Sequence, residues 1–119
     1  MTPFGRFMRN LRLEKGMLLK DCADLLEVTS AYLSALEHGK KAAPNEKFTE
    51  RIITTLALNP SEITGLKEAV RNSDTKITIP LKSTPFAFET ANAFARELPG
   101  LTVDQLQSIR NIIGRGSSE

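Results

Sequence analysis

Residue types that often mark a functional class are scarce in this sequence. Its 119 residues include one cysteine, Cys22, and one histidine, His38. A single cysteine cannot form an internal disulfide, and the two side chains are too few for a structural zinc site. No apolar run reaches the roughly 18 residues that span a membrane, and no charged segment followed by an apolar one marks a secretion signal. We therefore expect a cytoplasmic protein without a metal or other cofactor.

Groups for catalysis are equally scarce. One histidine and one cysteine do not supply a nucleophile with its base, and no paired carboxylates have catalytic spacing. The sequence also has no glycine-rich loop that would bind a phosphate. We therefore expect a binding protein and not an enzyme.

The overall composition is that of a globular protein. Hydrophobic residues make up 40% and charged residues 25% of the chain, so a core can form without disulfides or metals. The net charge of +2 permits an acidic partner but does not identify one. Charge alone therefore does not mark the chain as a nucleic-acid-binding protein.

Five segments in the first 73 residues have the apolar periodicity of short helices. Thr29 and Asn45 are placed to cap two of them. Asn59 is followed by Pro60 and by Glu62, a variant of the capping box. The predicted helices cover residues 2–16, 18–26, 29–37, 45–56 and 59–72.

The composition changes after residue 73. In "KITIPL", residues 76–81, apolar and polar residues alternate, which predicts a short β segment at a sheet edge because Pro80 lacks an N–H group. Two capped helices follow and predict an αα-hairpin over 84–113. We divide the chain into a helical domain (1–73), a C-terminal extension (74–113) and a flexible tail (114–119).

The segment "GMLLKDCADLLEVTSAYLSALEHGKK", residues 16–41, resembles the helix-turn-helix of the λ-repressor/Cro-like (XRE) family. The matching positions are Gly16, Ala23, Leu26, Val28, Thr29, Glu37, Gly39 and Lys40. The resemblance covers about residues 4–63 and implies a prokaryotic or phage protein that binds double-stranded DNA. The predicted fold is mainly α: a five-helix λ-repressor-like DNA-binding domain, then a short β segment and an αα-hairpin.

The second helix of this motif is the predicted recognition helix. Leu33 and Leu36 anchor it, Ala23 is small where the two helices cross, and Val28 lies under the turn. An α-helix fits the major groove of DNA, and its N-terminal residues reach base edges. The predicted base contacts are Thr29, Ser30, Ala31, Ser34 and Ala35. Because these side chains cannot form bidentate pairs with bases, we expect specificity to depend on backbone contacts, dimer spacing and DNA shape.

A second set of residues is predicted to contact phosphates. Each has an ordinary alternative: Tyr32 packs, His38 is solvated, the two lysines lie in a solvated loop, and Asn45 only caps a helix. The members are Tyr32, His38, Lys40, Lys41 and Asn45.

The resemblance also pairs an arginine of the first helix with the glutamate that ends the recognition helix. Arg12 and Glu37 occupy these positions, and a bidentate ion pair would fix the recognition helix against the first helix. The alternative is two solvated surface charges. The sequence departs from the family at Leu18, which replaces a helix cap, at Leu19, which replaces a glutamine that touches DNA, and at Glu27, which replaces the glycine of the turn.

Two functions follow from the resemblance. The first is a dimeric repressor, because two half-sites about 34 Å apart multiply the affinity of one small domain. The dimer contact would lie in residues 74–113, through strand pairing or hairpin packing, unless the hairpin only covers the N-terminal domain. The second is an antitoxin-type protein that binds a toxin through the extension, for instance by adding the strand 76–81 to a partner sheet.

Overall fold

The computed structural model describes residues 1–117, and side chains are described through residue 114. Its contacts divide the chain into two units, Met1–Ile77 and Thr78–Glu119. The described part contains seven α-helices and one turn of 3-10 helix, Leu98–Gly100. Within it, no helix is both long and apolar enough to cross a membrane. The helices are α1 (Pro3–Glu14), α2 (Leu19–Leu25), α3 (Ser30–Glu37), α4 (Glu46–Thr55), α5 (Pro60–Arg71), α6 (Pro85–Glu97) and α7 (Val103–Ser117).

Side-chain caps fix where most helices begin. Thr29 Oγ1 accepts a hydrogen bond from the Tyr32 N–H at 3.0 Å, and Asn45 Oδ1 accepts one from the Phe48 N–H at 2.9 Å. At α5 the predicted capping box forms in both directions between Asn59 and Glu62. These bonds satisfy N–H groups that have no partner inside the helix. The predicted positions of all seven helices are confirmed, with ends shifted by a few residues.

One hydrophobic core joins α1 to α5. Each of these helices contributes residues at helical spacing, and Cys22 is fully buried among them. Burial raises the pKa of the Cys22 thiol, so the side chain remains a neutral core group. The core residues of α1 are Phe4, Met8 and Leu11, and the other helices with the residues that follow them add Cys22, Ala23, Leu26, Leu33, Leu36, Ile52, Leu56, Leu58 and Leu66.

A buried hydrogen bond and a close backbone approach position α1. The buried hydroxyl of Ser73 accepts a hydrogen bond from the Phe4 N–H at 2.8 Å and donates one to the Ala69 carbonyl at 2.7 Å. At Gly5, an added Cβ would lie 2.5 Å from the carbonyl oxygens of Leu36 and Glu37. The N-terminal turn of α1 therefore lies against the C-terminal end of α3.

The predicted β segment is wrong. Residues 1–117 contain no strand, and residues 76–80 have no regular secondary structure before a turn in which the Ser83 N–H donates to the Pro80 carbonyl at 3.0 Å. Ile77 and Leu81 are 86% and 93% exposed. Alternation fits a strand, but a strand needs a neighbour to pair its backbone groups, and no other segment described supplies one.

The C-terminal unit consists of α6, the 3-10 turn and α7. Residues 114–117 of the predicted flexible tail are helical, and Ser118 and Glu119 lie outside the described residues. Glycine at positions 114 and 116 suggested a tail, but it lowers helix propensity by only about 1 kcal/mol per residue. From Thr78 to Gly114 no residue is buried, so these helices have no core of their own.

Candidate nucleic-acid interface

The turn between α2 and α3 is tight and strained. Glu27 has φ = +60°, the left-handed conformation that favours glycine. The Glu27 N–H donates to the Asp24 carbonyl at 3.1 Å, and the Val28 N–H donates to the Ala23 carbonyl at 3.0 Å. Glu27 therefore adopts the left-handed conformation at the position where the family resemblance expects glycine, and the short turn between α2 and α3 still forms.

On one side of α3 the side chains are buried in the core, and on the other side most of them are short. Leu33 and Leu36 are fully buried, as is Ala23 of α2, and Val28 is half-buried. On the outer side, Tyr32 is the largest exposed side chain. Of the five predicted base-contacting residues, Thr29 and Ala31 are exposed, whereas Ser30, Ser34 and Ala35 are half-buried.

The structure brings Arg12 and Glu37 together. Arg12 Nε lies 2.9 Å from one oxygen of Glu37, and its Nη2 lies 3.1 Å from the other. Arg12 Nη1 also donates to the Met17 carbonyl at 3.0 Å. The two side chains are 13% and 3% exposed, and hydrogen bonding to Glu37 raises the pKa of Arg12. This bidentate pair joins α1, the start of the helix-turn-helix and the end of α3.

One histidine and two lysines lie at the C-terminal end of α3. His38 Nδ1 lies 2.8 Å from the Ser34 carbonyl, so the tautomer with a proton on Nδ1 caps the helix. Gly39 has φ = +73°, and the Lys40 N–H donates to the Ala35 carbonyl at 2.8 Å. Lys40 and Lys41 follow this cap and are both exposed.

An aromatic cluster beside α3 was not predicted from the sequence. The ring of Tyr32 meets that of Phe48 edge-on at 6.3 Å between centroids, and the Arg51 guanidinium lies 5.7 Å from the Phe48 centroid. Arg51 Nη1 also donates to the Leu26 carbonyl at 3.2 Å. The spacing of Phe48 and Arg51 along the sequence places them on one side of α4. Their contacts with α3 and with the turn join distant parts of the chain, so no local sequence pattern predicts them.

An open pocket separates the N-termini of α3 and α4. Tyr32 and Phe48 form its aromatic side, and the capping residues Thr29 and Asn45 stand at the two helix starts. At the start of α2, by contrast, Leu18 makes no side-chain cap and is 71% exposed. The polar group that the family has at that edge is therefore missing from this chain.

Comparison with known proteins identifies the family of the N-terminal helices. No curated protein and no solved structure is significantly similar to the chain. A family model described as a helix-turn-helix domain matches residues 3–66, which is more than half of the chain and runs from α1 into α5. The chain belongs to this family of helix-turn-helix DNA-binding domains, which is part of the XRE/Cro-like group.

Proposed function

We propose that the protein is a sequence-specific transcriptional regulator, a dimeric repressor of its own gene that reads the major groove with α3. The observation that carries this proposal is the bidentate pair between Arg12 and Glu37. This buried ion pair fixes α3 against α1, and the outer side of α3 carries no acidic side chain. A rigid helix with short side chains on its outer side can approach base edges closely.

Base contacts fall on the N-terminal half and the outer side of α3. Thr29, Ser30 and Ser34 offer hydroxyls, and Ala31 and Ala35 offer methyl groups to thymine methyls. None of them forms a bidentate pair with a base, so DNA shape and half-site spacing supply part of the specificity.

Phosphate contacts surround this surface. Lys40 and Lys41 flank the C-terminal end of α3, and the Asn45 backbone lies at the start of α4. Tyr32 contacts a phosphate with its hydroxyl, and His38 does so with the ring nitrogen opposite its capping Nδ1. Such contacts fix register and orientation without reading sequence.

A titration tests the proposal directly. DNA from the upstream region of the gene is labelled, and anisotropy is followed at two salt concentrations against a scrambled duplex of equal length. We expect the upstream DNA to bind at least about 1,000-fold more tightly than the scrambled DNA. Equal affinity for the two duplexes contradicts the proposal. Tyr32 is the single tyrosine and tryptophan is absent, so its emission reports contact at α3 in the same titration.

The two lysines have a separate signature. Lys40→Ala and Lys41→Ala should weaken binding to every duplex and lower the slope of log affinity against log salt by about one each. Lys67→Ala is the matched control, because Lys67 pairs with Glu50 at 3.8 Å and lies on α5. If Lys40→Ala and Lys41→Ala both leave the salt slope unchanged, neither lysine belongs to the DNA interface.

A second candidate is an antitoxin-type protein that binds a partner through the extension and also represses its operon. The exposure of Ile77 and Leu81 in a segment without regular structure favours it, because such a segment can add a strand to a partner sheet. Co-purification with the product of a neighbouring gene, abolished by Ile77→Asp, supports this candidate. Failure of that product to bind the wild-type chain excludes it as the partner.

A further inference from the structure

Arg51 on α4 contacts both helices of the helix-turn-helix, one directly and one through a neighbour. Its Nη1 donates a hydrogen bond at 3.2 Å to the carbonyl of Leu26, the residue that follows α2. Its guanidinium carbon lies 5.7 Å from the centre of the Phe48 ring, within the range of a cation–π contact. The Phe48 ring in turn meets the ring of Tyr32 on α3 edge-on, at 6.3 Å between centroids. Arg51 thus connects the end of α2 with the outer side of α3.

The bond to Leu26 falls on the part of the turn where the backbone is strained. Glu27, the next residue, has φ = +60°. The N–H groups of the turn donate to carbonyls inside α2, so they do not satisfy the Leu26 carbonyl at the end of that helix. A charged donor makes a stronger hydrogen bond than a neutral one, and a cation is favourable at the C-terminal end of a helix. Arg51 therefore supports the turn at a carbonyl that the backbone of the turn does not satisfy.

The contact with Phe48 restrains Tyr32, the largest exposed side chain on the outer side of α3. Tyr32 is 37% exposed, whereas Phe48 is half-buried and packs against the core. A side chain that is free in solution loses rotamer freedom when it binds a partner, and a side chain that is already held loses little. The contact with Phe48 therefore holds the ring of Tyr32 in place before DNA binds.

We infer that Arg51 and Phe48 are positioning residues for sequence-specific DNA binding. They hold the turn and the ring of Tyr32 in the arrangement in which α3 enters the major groove, and neither of them contacts a base. This inference rests on the proposed function and specifies how α4 takes part in it. Binding groups need to be held within about 0.5 Å of their productive positions. Because the other outer side chains of α3 are short, their reach cannot correct an error in the placement of the helix.

The alternative is that Arg51 contacts a phosphate itself. The ion pairs among the described residues do not include Arg51, so no carboxylate there engages its charge. Its side chain is half-buried, however, and its guanidinium already faces a carbonyl and a ring. Lys40 and Lys41, by contrast, are exposed. These observations favour positioning, and the salt dependence of binding separates the two roles.

Binding to two duplexes measures the effect on recognition. The specific duplex is the upstream DNA or, if the wild type does not prefer it, a sequence that the wild type selects from a random pool. The second duplex is its scrambled form. Arg51→Met and Phe48→Leu should each lower the preference for the specific duplex by about tenfold, while the affinity and the salt slope for the scrambled duplex stay the same. Arg71→Met is the matched control, because it removes the same charge from an exposed position on α5, and it should leave the preference unchanged.

Two measurements without DNA report the turn and the ring themselves. Tyr32 is the single tyrosine and tryptophan is absent, so quenching of its emission by acrylamide reports its exposure. Phe48→Leu should raise the quenching constant by about half, since the ring that contacts Tyr32 is lost. In Arg51→Met, amide hydrogen exchange at Glu27 and Val28 should accelerate by about tenfold. Unchanged exchange in α5 shows that the variant keeps its fold.

The salt dependence also defines the contrary result. If Arg51→Met weakens binding to both duplexes equally and lowers the slope for the scrambled duplex by about one, Arg51 is a phosphate contact and the inference is overturned. It is also overturned if both variants keep the wild-type preference, or if Arg71→Met lowers the preference as much as they do. A wild type that selects a sequence other than its upstream DNA contradicts repression of its own gene. The inference nevertheless stands if the variants lose the preference for the selected sequence.

Discussion

At the scale of single residues, Glu27 adopts a backbone conformation that lowers the stability of the fold. Its φ of +60° lies in a region where residues other than glycine are strained. The hydrogen bond from Arg51 to the carbonyl of the preceding residue, Leu26, stabilises the same turn from α4. This hydrogen bond offsets the strain of the turn, and its donor lies in α4, outside the sequence of the turn.

Glu27→Gly should therefore stabilise the protein. We expect the free energy of unfolding to rise by about 0.5–1 kcal/mol, since relief of strain exceeds the extra chain entropy of glycine in the unfolded state. Urea denaturation followed by circular dichroism measures the change. Ala57→Gly, at φ = +51°, should have the same sign. Glu68→Gly, inside α5, should instead destabilise by about 1 kcal/mol. A loss of stability in Glu27→Gly would show that the turn is not strained.

Residue patterns predicted some of these features and not others. Caps such as Thr29 and Asn45 depend on neighbours three residues away, so the sequence reveals them. The contact of Ser73 with Phe4 joins residues 69 positions apart, and that of Arg51 with Leu26 joins residues 25 apart. Both form only after the helices have packed, and no local pattern encodes them. The pairing of Arg12 with Glu37 was predictable only through the family resemblance.

At the scale of elements, the relation between α1 and α3 determines how the recognition helix is presented. Gly5 allows the two helices to meet at their backbones, and the pair of Arg12 with Glu37 fixes their relative rotation. The turn between α2 and α3 is short, whereas α1 and α3 are distant in sequence and meet through the backbone at Gly5 and through the Arg12–Glu37 pair. The same scale explains the wrong β prediction: residues 76–81 have the alternation of a strand, but pairing is a property of two elements.

Glu37→Gln tests this coupling. The amide keeps the shape of the side chain but loses its charge and one acceptor for the nearly buried guanidinium of Arg12. We expect the free energy of unfolding to fall by about 2 kcal/mol, with weaker binding to specific DNA. Glu50→Gln is the control, because the Lys67–Glu50 pair is more than half exposed and should contribute less than about 0.5 kcal/mol. Equal effects of the two substitutions would show that Arg12 and Glu37 act as ordinary surface charges.

At the scale of the whole molecule, the chain combines a unit with a complete core and a unit without one. Residues Met1–Ile77 contain every fully buried side chain of the described chain. Between α5 and α6, Lys76 and Lys82 are exposed in a segment that has no helix. Proteases cleave exposed segments of this kind in preference to packed helices. The domain boundary predicted from composition at residue 73 stays a prediction, which cleavage within this segment can test.

Brief trypsin treatment should cut first at Lys76 and Lys82. The expected product is a resistant fragment ending at one of these lysines, with the unfolding transition of α1–α5 retained, because the residues of the main core all precede the cut. Mass spectrometry of the digest identifies the sites, and a Lys76→Gln, Lys82→Gln double variant should survive longer. The exposed pair Lys40 and Lys41 provides an internal comparison, since the Lys40 N–H is bonded to the Ala35 carbonyl at 2.8 Å. First cleavage at that pair would mean that the loop after α3 opens more readily than the connection between the units.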